Sequence, residues 1–257
     1  MPSIPTDAAL LDLAVSLAER AAAAILAVKR AGFAVERKRD TSPVTKADRI
    51  AEALIVEGLR AAVPAIPVVA EEEVAAGIVT VPGDVYWLVD PLDGTREFAT
   101  GRPHYTVNIG LVRGGRPVLG AVAVPETGEV FGGRVGAPAF KRDAAGQRAI
   151  AVRRPPQEGL VVMGSRHYAG DPRIAEFLQG RKVARIENIG SAVKVLRVAE
   201  GVADLHPRFV PTMEWDTAAP QAVLEAAGGS LRLWDGGVMP YGKPGWENPP
   251  YVVTGAA

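Results

Sequence analysis

Tyr86-Trp87-Leu88-Val89-Asp90-Pro91-Leu92-Asp93-Gly94-Thr95 is an apolar run that ends on two carboxylates, a glycine and a hydroxyl. The apolar part reads as a buried strand, and Pro91 fixes one backbone angle between the two acids, so Asp90 and Asp93 are expected to face one pocket. Gly94-Thr95 then reads as a helix start, where unpaired backbone N–H groups and a hydroxyl make a cradle for an anion. Acids beside an anion cradle repel the ligand that the cradle attracts, unless cations stand between them. Magnesium binds in this way, through a few carboxylates and the oxygens of a substrate phosphate. Taken alone, the same stretch reads equally well as an Asp-Pro turn followed by an aspartate helix cap.

Working outward, Glu71-Glu72-Glu73 follows the apolar Ile66-Pro67-Val68-Val69-Ala70, and Trp215-Asp216 leads into an alanine-rich helix. Acids at the ends of separate apolar segments suit a shared metal site better than unrelated solvated turns. Ser42-Pro43-Val44-Thr45-Lys46-Ala47-Asp48, Ala70-Glu71-Glu72, Asp90-Pro91-Leu92-Asp93-Gly94-Thr95 and Glu214-Trp215-Asp216-Thr217-Ala218-Ala219 stand in that order along the chain. In these motifs the chain resembles, nearly end to end, the lithium-sensitive, magnesium-dependent phosphomonoesterase superfamily of inositol monophosphatase, fructose-1,6-bisphosphatase and 3′(2′),5′-bisphosphate nucleotidase.

The resemblance implies a mixed α/β fold, a layered αβαβα sandwich, and hydrolysis of a phosphate monoester with two or three Mg2+ ions per site. It implies Glu71, Asp90, Asp93, Asp216 and the carbonyl of Leu92 as metal ligands, with Asp90 bridging two ions. Glu71 is also implied in catalysis. Thr95 is implied as the holder of the attacking water and Asp48 as its partner in deprotonating that water. Asp48 also fits a capping box with Thr45, and the two roles are compatible. The N–H groups of Gly94 and Thr95 are implied as phosphate donors, and Glu72 is open between an outer-sphere role and a solvated acid.

Composition bounds these readings. The 257 residues, 48% hydrophobic and 23% charged, can bury a sizeable core as one large domain or two fused lobes. With 29 basic and 29 acidic residues the formal net charge is zero, so no global field draws the chain to a nucleic acid polymer or an acidic membrane. The absence of cysteine excludes disulfides, thiolate zinc sites and cysteine nucleophiles, and fits a reducing compartment. His104, His167 and His206 lie in separate segments without metal-ligand spacing. No apolar run reaches spanning length and nothing at the start reads as a signal peptide, so a soluble cytoplasmic protein, monomer or homodimer, is expected.

Along the chain, Leu10, Leu13, Leu17, Ala21 and Ile25 recur at helical spacing between about Thr6 and Arg30, with Gly32 as a stop. A polar segment from Glu36 to Asp40 precedes a second helix, whose apolar face is read as Ile50, Leu54, Leu59 and Val63 before Pro64 ends it. Tyr105 to Val112 and Pro117 to Val124 flank a Gly-Gly hairpin signal, and Glu129 to Arg134 continues an antiparallel meander. Residues 1–140 are expected as an N-terminal α+β lobe and 141–257 as an α/β lobe, joined through Lys141 to Gly159. The second part alternates strand and helix: Leu160 to Met163, Pro172 to Leu178, Val183 to Ile186, Ser191 to Glu200, a short strand at Ala203 to His206, and a helix from Trp215-Asp216 to Gly228-Gly229. Pro220 inside the last helix is expected to kink it or mark its start.

Substrate choice is read from the second part. Ser165-Arg166-His167, Gly190-Ser191-Ala192-Val193-Lys194, Val198-Ala199-Glu200-Gly201 and His206-Pro207-Arg208-Phe209, with Glu97-Phe98, resemble the bisphosphate nucleotidase branch more than the inositol monophosphatases. That branch handles 3′-phosphoadenosine 5′-phosphate and sometimes its sulfated parent. Lys194 and Arg208 match its cations for a second phosphate, and His167 and Ser191 its polar contacts to the nucleotide. Ala192 and Pro220 depart from the branch pattern. The alternatives are an inositol-1-monophosphatase, with fructose-1,6-bisphosphate as a side activity, and a non-catalytic nucleotide-binding or regulatory protein, which would have no need of a full acid set.

Overall fold

The computed structural model describes residues 4–37 and 43–256, so Ser42 of the first motif and Asp40 lie outside the described residues. Helix α1 (Asp7–Ala31) starts where the Thr6 hydroxyl accepts the Ala9 N–H at 3.3 Å and stops at Gly32, whose φ of 80° favours glycine. Strands β1 (Val35–Arg37) and β2 (Pro43–Thr45) pair antiparallel and deliver Thr45 to the start of α2 (Lys46–Ala62). The buried face of α2 is Ala47, Ala51, Ile55 and Leu59 together with Asp48 and Glu52. Ile50 and Leu54, read from the sequence as core, are only half-buried. Small side chains set the contact: a Cβ on Gly58 would stand 2.5 Å from Leu17, so the alanine and glycine side of α2 is the one that can approach α1 closely.

The first sheet follows. Strand β3 (Val68–Ala70) leads through α3 (Glu71–Ala75) to β4 (Val85–Asp93), α4 (Thr95–Ala99), β5 (Thr106–Arg113), β6 (Arg116–Val124), β7 (Glu129–Arg134), β8 (Phe140–Asp143) and β9 (Gly146–Ala149). These seven strands lie in chain order, with β3 parallel to β4 and every later pair antiparallel. The hairpin at Gly114-Gly115 turns with φ of 56° and 70°, as the Gly-Gly signal requires. Residues 141–149, read from the sequence as part of a junction, are strands of this sheet. Arg148 faces water while Lys141 is buried against the rest of the protein, and charges flanking a short turn are a pattern that a linker shares.

The remaining elements are β10 (Leu160–Ser165), α5 (Pro172–Leu178), β11 (Val183–Ile189), α6 (Val193–Ala199), β12 (Leu205–Arg208), β13 (Thr212–Met213), α7 (Glu214–Ala226), β14 (Ser230–Leu233), β15 (Glu247–Asn248) and β16 (Tyr251–Thr254). The second sheet has the order β11-β10-β12-β16-β14, with β10 parallel to both its neighbours. Ser191, read as the first residue of the sixth helix, stands before α6 with φ 53°. Pro220 does not mark the start of α7, which begins at Glu214 and runs through it.

Side chains alternate across the first sheet. Trp87, Val89, Val107, Ile109 and Leu111 join the core beneath α1 and α2. Tyr86, Leu88 and Val112 join the core shared with α6 and α7. Glycines let α7 settle on that second face: a Cβ on Gly110 would meet Ala219 N at 2.7 Å, and one on Gly120 would meet Ala219 O at 2.3 Å. A third, smaller core of Val162, Leu205, Ile174 and Leu178 places α5 outside the second sheet. The layers are therefore α1/α2, first sheet, α6/α7, second sheet and α5, the αβαβα arrangement. Among the described residues no helix is long and apolar enough to cross a membrane.

Candidate active site

Asp90 and Asp93 stand at the end of β4, Asp48 in the first turn of α2 and Asp216 in the first turn of α7. Each has one oxygen held by a backbone N–H. Asp48 Oδ2 accepts from Thr45 N at 2.7 Å, Asp216 Oδ2 from Met213 N at 2.9 Å, and Asp90 Oδ1 from Leu92 N at 2.9 Å. Asp93 Oδ2 accepts from Ala192 N at 2.5 Å, across from the far side of the cleft. Two of these acids thus cap the N-termini of helices that meet here, which fixes their direction at little entropic cost. The capping box at Thr45 and Asp48 is present as the sequence spacing foretells. Asp48 Oδ1 in addition accepts the Thr95 hydroxyl at 3.1 Å, and that hydroxyl also approaches the Leu92 carbonyl at 3.2 Å.

Crowding shows in the charges. Burial, then the neighbouring Glu71, Asp93 and Asp216, push Asp90 well above the ordinary carboxylate range. Burial raises Asp93 against the pull of Lys194, and burial with the Asp93 charge pushes Asp216 up to about 8. Asp48 is raised, by burial first, although Thr45 and Thr95 donate to it. A cluster of this kind cannot carry its full negative charge without a cation. Among the described residues no three histidine, aspartate or glutamate side chains already close around one point as a metal cage. An open set of hard oxygen donors is what magnesium takes, since it keeps several waters and binds through one or two carboxylates plus phosphate. Asn108 supports the fit: it pairs with Asp90 across β4 and β5, is fully buried, and neither polar atom of its amide has a partner. Water brought in by an ion at Asp90 would give the Asn108 amide oxygen a donor.

Glu71, Asp93, Gly94, Thr95, His167, Ser191, Lys194, Arg208 and Asp216 line one cleft of about 390 Å³, with Asp48, Asp90 and Leu92 buried beneath it. The ligands, catalytic residues and substrate contacts expected from the sequence are brought to this place, whereas Glu72 lines a separate pocket with Glu52 and Glu73. Gly94 has φ 94°, and a Cβ on it would meet His104 O at 3.1 Å and Ser191 Cβ at 3.3 Å, so its glycine serves both conformation and room. Lys194 is only 6% exposed and donates to the Ser191 carbonyl at 2.5 Å. Burial pulls its ammonium down to about 8, with Asp93 opposing. Arg208 is anchored through Nε to Val210 O at 2.9 Å and lies over the Tyr168 ring at 5.4 Å. Below them His206 is held neutral, by burial first and then by Lys194, with Nδ1 2.7 Å from Met163 O.

Three contributors had no role in the sequence reading, although Glu97 was part of the branch resemblance. Glu52, on the buried side of α2, accepts the Glu72 N–H at 2.7 Å and so caps α3, whose own N-cap is Ala70 and has no side-chain bond. Asn108 sits in a strand where its neighbours are apolar, and a lone polar residue in such a run is the signal that could have found it. Glu97, in the short α4 and 3% exposed, also lines the cleft.

Known proteins resemble this chain in sequence and fold over nearly its whole length. The pattern of the inositol monophosphatase family matches residues 7–254. The chain is 41% identical over 250 residues to the 3′(2′),5′-bisphosphate nucleotidase CysQ of Salmonella typhimurium, covering 95% of this chain and 99% of that one. It is 40% identical, over the same shares, to the protein of that name from Escherichia coli strain K12. Among solved structures, CysQ from Bacteroides thetaiotaomicron superposes with a TM-score of 0.81 at 30% identity, covering 96% of this chain and 97% of that one. An inositol monophosphatase from Anabaena gives 0.74 at 26% identity, covering 96% and 90%. With its acid-lined cleft between two sheets and a family pattern that runs almost from end to end, this chain belongs to the inositol monophosphatase family.

Proposed function

We propose that the protein is a magnesium-dependent phosphatase that removes the 3′-phosphate of 3′-phosphoadenosine 5′-phosphate, leaving AMP and inorganic phosphate. The observation that carries this reading is a cationic wall, the buried Lys194 with the half-buried Arg208, on the same cleft as the acids. A substrate with a second phosphate has a use for that wall; inositol 1-phosphate has none. The relatives named 3′(2′),5′-bisphosphate nucleotidase support the same choice.

Glu71, Asp90, Asp93, Asp216 and the Leu92 carbonyl would hold Mg2+. Bound there, the ion neutralises phosphate charge, lowers the pKa of a bound water and stabilises the leaving oxygen. The chain's own groups do the positioning. The N–H groups of Gly94 and Thr95, at the start of α4, donate to the scissile phosphate. Thr95 Oγ1 donates to Asp48 Oδ1, so a water held at this hydroxyl can give its proton to Thr95 as the hydroxyl proton passes to Asp48. Burial raises Asp48, which makes it a better proton acceptor than a solvated aspartate. Lys194 and Arg208 hold the phosphate that does not react, with Ser191 and His167 against the nucleoside. Because phosphoryl transfer demands mainly orientation and charge neutralisation, no covalent nucleophile is required.

The test is product analysis with purified protein. With Mg2+ the expected products are AMP and phosphate in equal amounts, and EDTA stops their formation. Release of adenosine 3′-phosphate instead, or turnover indifferent to EDTA, would overturn the reading.

A further inference from the structure

Glu97 has no task in the chemistry above. It lies in α4 just beyond Thr95, is 3% exposed and lines the cleft. Its Oε1 is 3.0 Å from Nε2 of His167, in the helical turn Arg166–Tyr168 that follows β10. The contact is ionic in geometry without an aligned hydrogen bond, for Oε1 has no hydrogen-bond partner. Glu97 also reaches the loop before α6. A Cβ on Gly190 would stand 2.5 Å from the Glu97 carboxyl, so the chain leaves that position without a side chain where the acid passes. The neighbouring positions mesh in the same way, Gly94 against Ser191 and Asp93 against the Ala192 N–H. One face of the β4–α4 connection therefore holds both the loop 190–192 and the His167 ring.

A burial this complete takes a carboxylate out of water, and a protein tolerates that where the charge is paired or put to use. Here it faces the two groups that border the substrate. We propose that Glu97 is a specificity-determining positioning residue: it fixes His167 and the loop 190–192 so that the part of a nucleotide beyond the scissile phosphate meets one preset wall. This rests on the bisphosphate reading above. Glu97 is itself none of the expected metal ligands or phosphate donors, so its role appears in discrimination between substrates more than in turnover.

The experiment compares wild type, E97A, H167A and the E97A/H167A double variant on 3′-phosphoadenosine 5′-phosphate and on p-nitrophenyl phosphate, with melting curves for each protein. In E97A the ratio of kcat/KM between the bisphosphate and the simple ester is expected to fall about tenfold, chiefly through KM. The double variant is expected to fall by clearly less than the product of the two single losses, because part of what Glu97 does is done through His167. E97Q, which keeps an oxygen acceptor, should recover part of the ratio. If E97A does not fold, E97Q and G190A carry the test, since a methyl at 190 displaces the Glu97 carboxyl while leaving its charge in place, and both should lower the ratio. A ratio retained in the E97 variants, or losses that simply add in the double variant, overturns the inference while leaving the substrate reading intact. A wild-type ratio near one overturns the substrate reading and this inference with it.

Discussion

Asp48 uses its two oxygens for different ends. Oδ2 closes the capping box with Thr45, and Oδ1 takes the Thr95 hydroxyl. Asparagine can keep the cap, since its side-chain oxygen is a comparable acceptor, but it then presents an amide N–H to Thr95 and can accept no proton. Asp48→Asn is therefore expected to lower kcat by roughly 10²-fold or more, the range for losing a general base, with a melting temperature close to wild type. Steady-state kinetics beside a melting curve reads both. A loss under tenfold at unchanged stability would mean that Asp48 is a cap and nothing more. At this scale the sequence is most legible where partners are close along the chain: Thr45 and Asp48 announce their bond by spacing. The Thr95 contact, 47 residues away, follows from resemblance alone. Lys194 is harder still, because a lysine on a helix reads as solvated, and its burial depends on β12 and the loop before α6 folding around it.

Helix α6 carries Lys194, and a buried charge network fixes it to the first sheet. Arg197 of α6 bonds Glu129 of β7 at 2.6 Å, Lys141 of β8 bonds Glu200 at 2.9 Å, and the pairs Lys141–Glu129 and Arg197–Glu200 close the ring. Burial pushes the Glu129 carboxyl up, but the Arg197 and Lys141 bonds overcome it and hold it at about 2. A folded value below the ordinary 4.5 means that the network's contribution is whole above pH 4.5 and is lost as pH falls through about 2. Glu129→Gln should thus be clearly less stable than wild type at pH 7, and the gap should close between pH 4.5 and pH 2. Urea melts across that range measure it; a gap independent of pH would place the loss in packing rather than charge. None of this ring could be read from the sequence. Its members come from β7, β8 and the end of α6, which meet only once α6 lies on the first sheet, whereas the meander that supplies β7 was plain from its turns and alternation.

Across the whole molecule, the helices of the two sheets bring their first turns to one cleft, and most of its acids are buried without enough cations of the protein's own. Asp216 shows the consequence: its folded value of about 8 lies above the ordinary 3.8, so its own contribution to the stability of the metal-free protein is whole below about pH 4 and is lost as pH rises toward 8. Mg2+ should reverse that loss. The rise in melting temperature on adding MgCl2 is expected to be larger at pH 8 than at pH 5.5, and an equal rise at both would separate ion binding from these carboxylates. Strand–helix alternation made the α/β class legible and the order of layers came from the resemblance, but the close seating of α7 could not be read, since Gly110 and Gly120 gain their meaning only when Ala219 lies on them. The central claim, that this cleft is shaped for a nucleotide with two phosphates, is tested most directly by one ratio: kcat/KM for 3′-phosphoadenosine 5′-phosphate over that for inositol 1-phosphate, measured with Mg2+. Two charge-assisted contacts to the second phosphate, each worth about 1.5–3 kcal/mol, predict a ratio of a hundred or more, whereas a ratio at or below one would contradict the account.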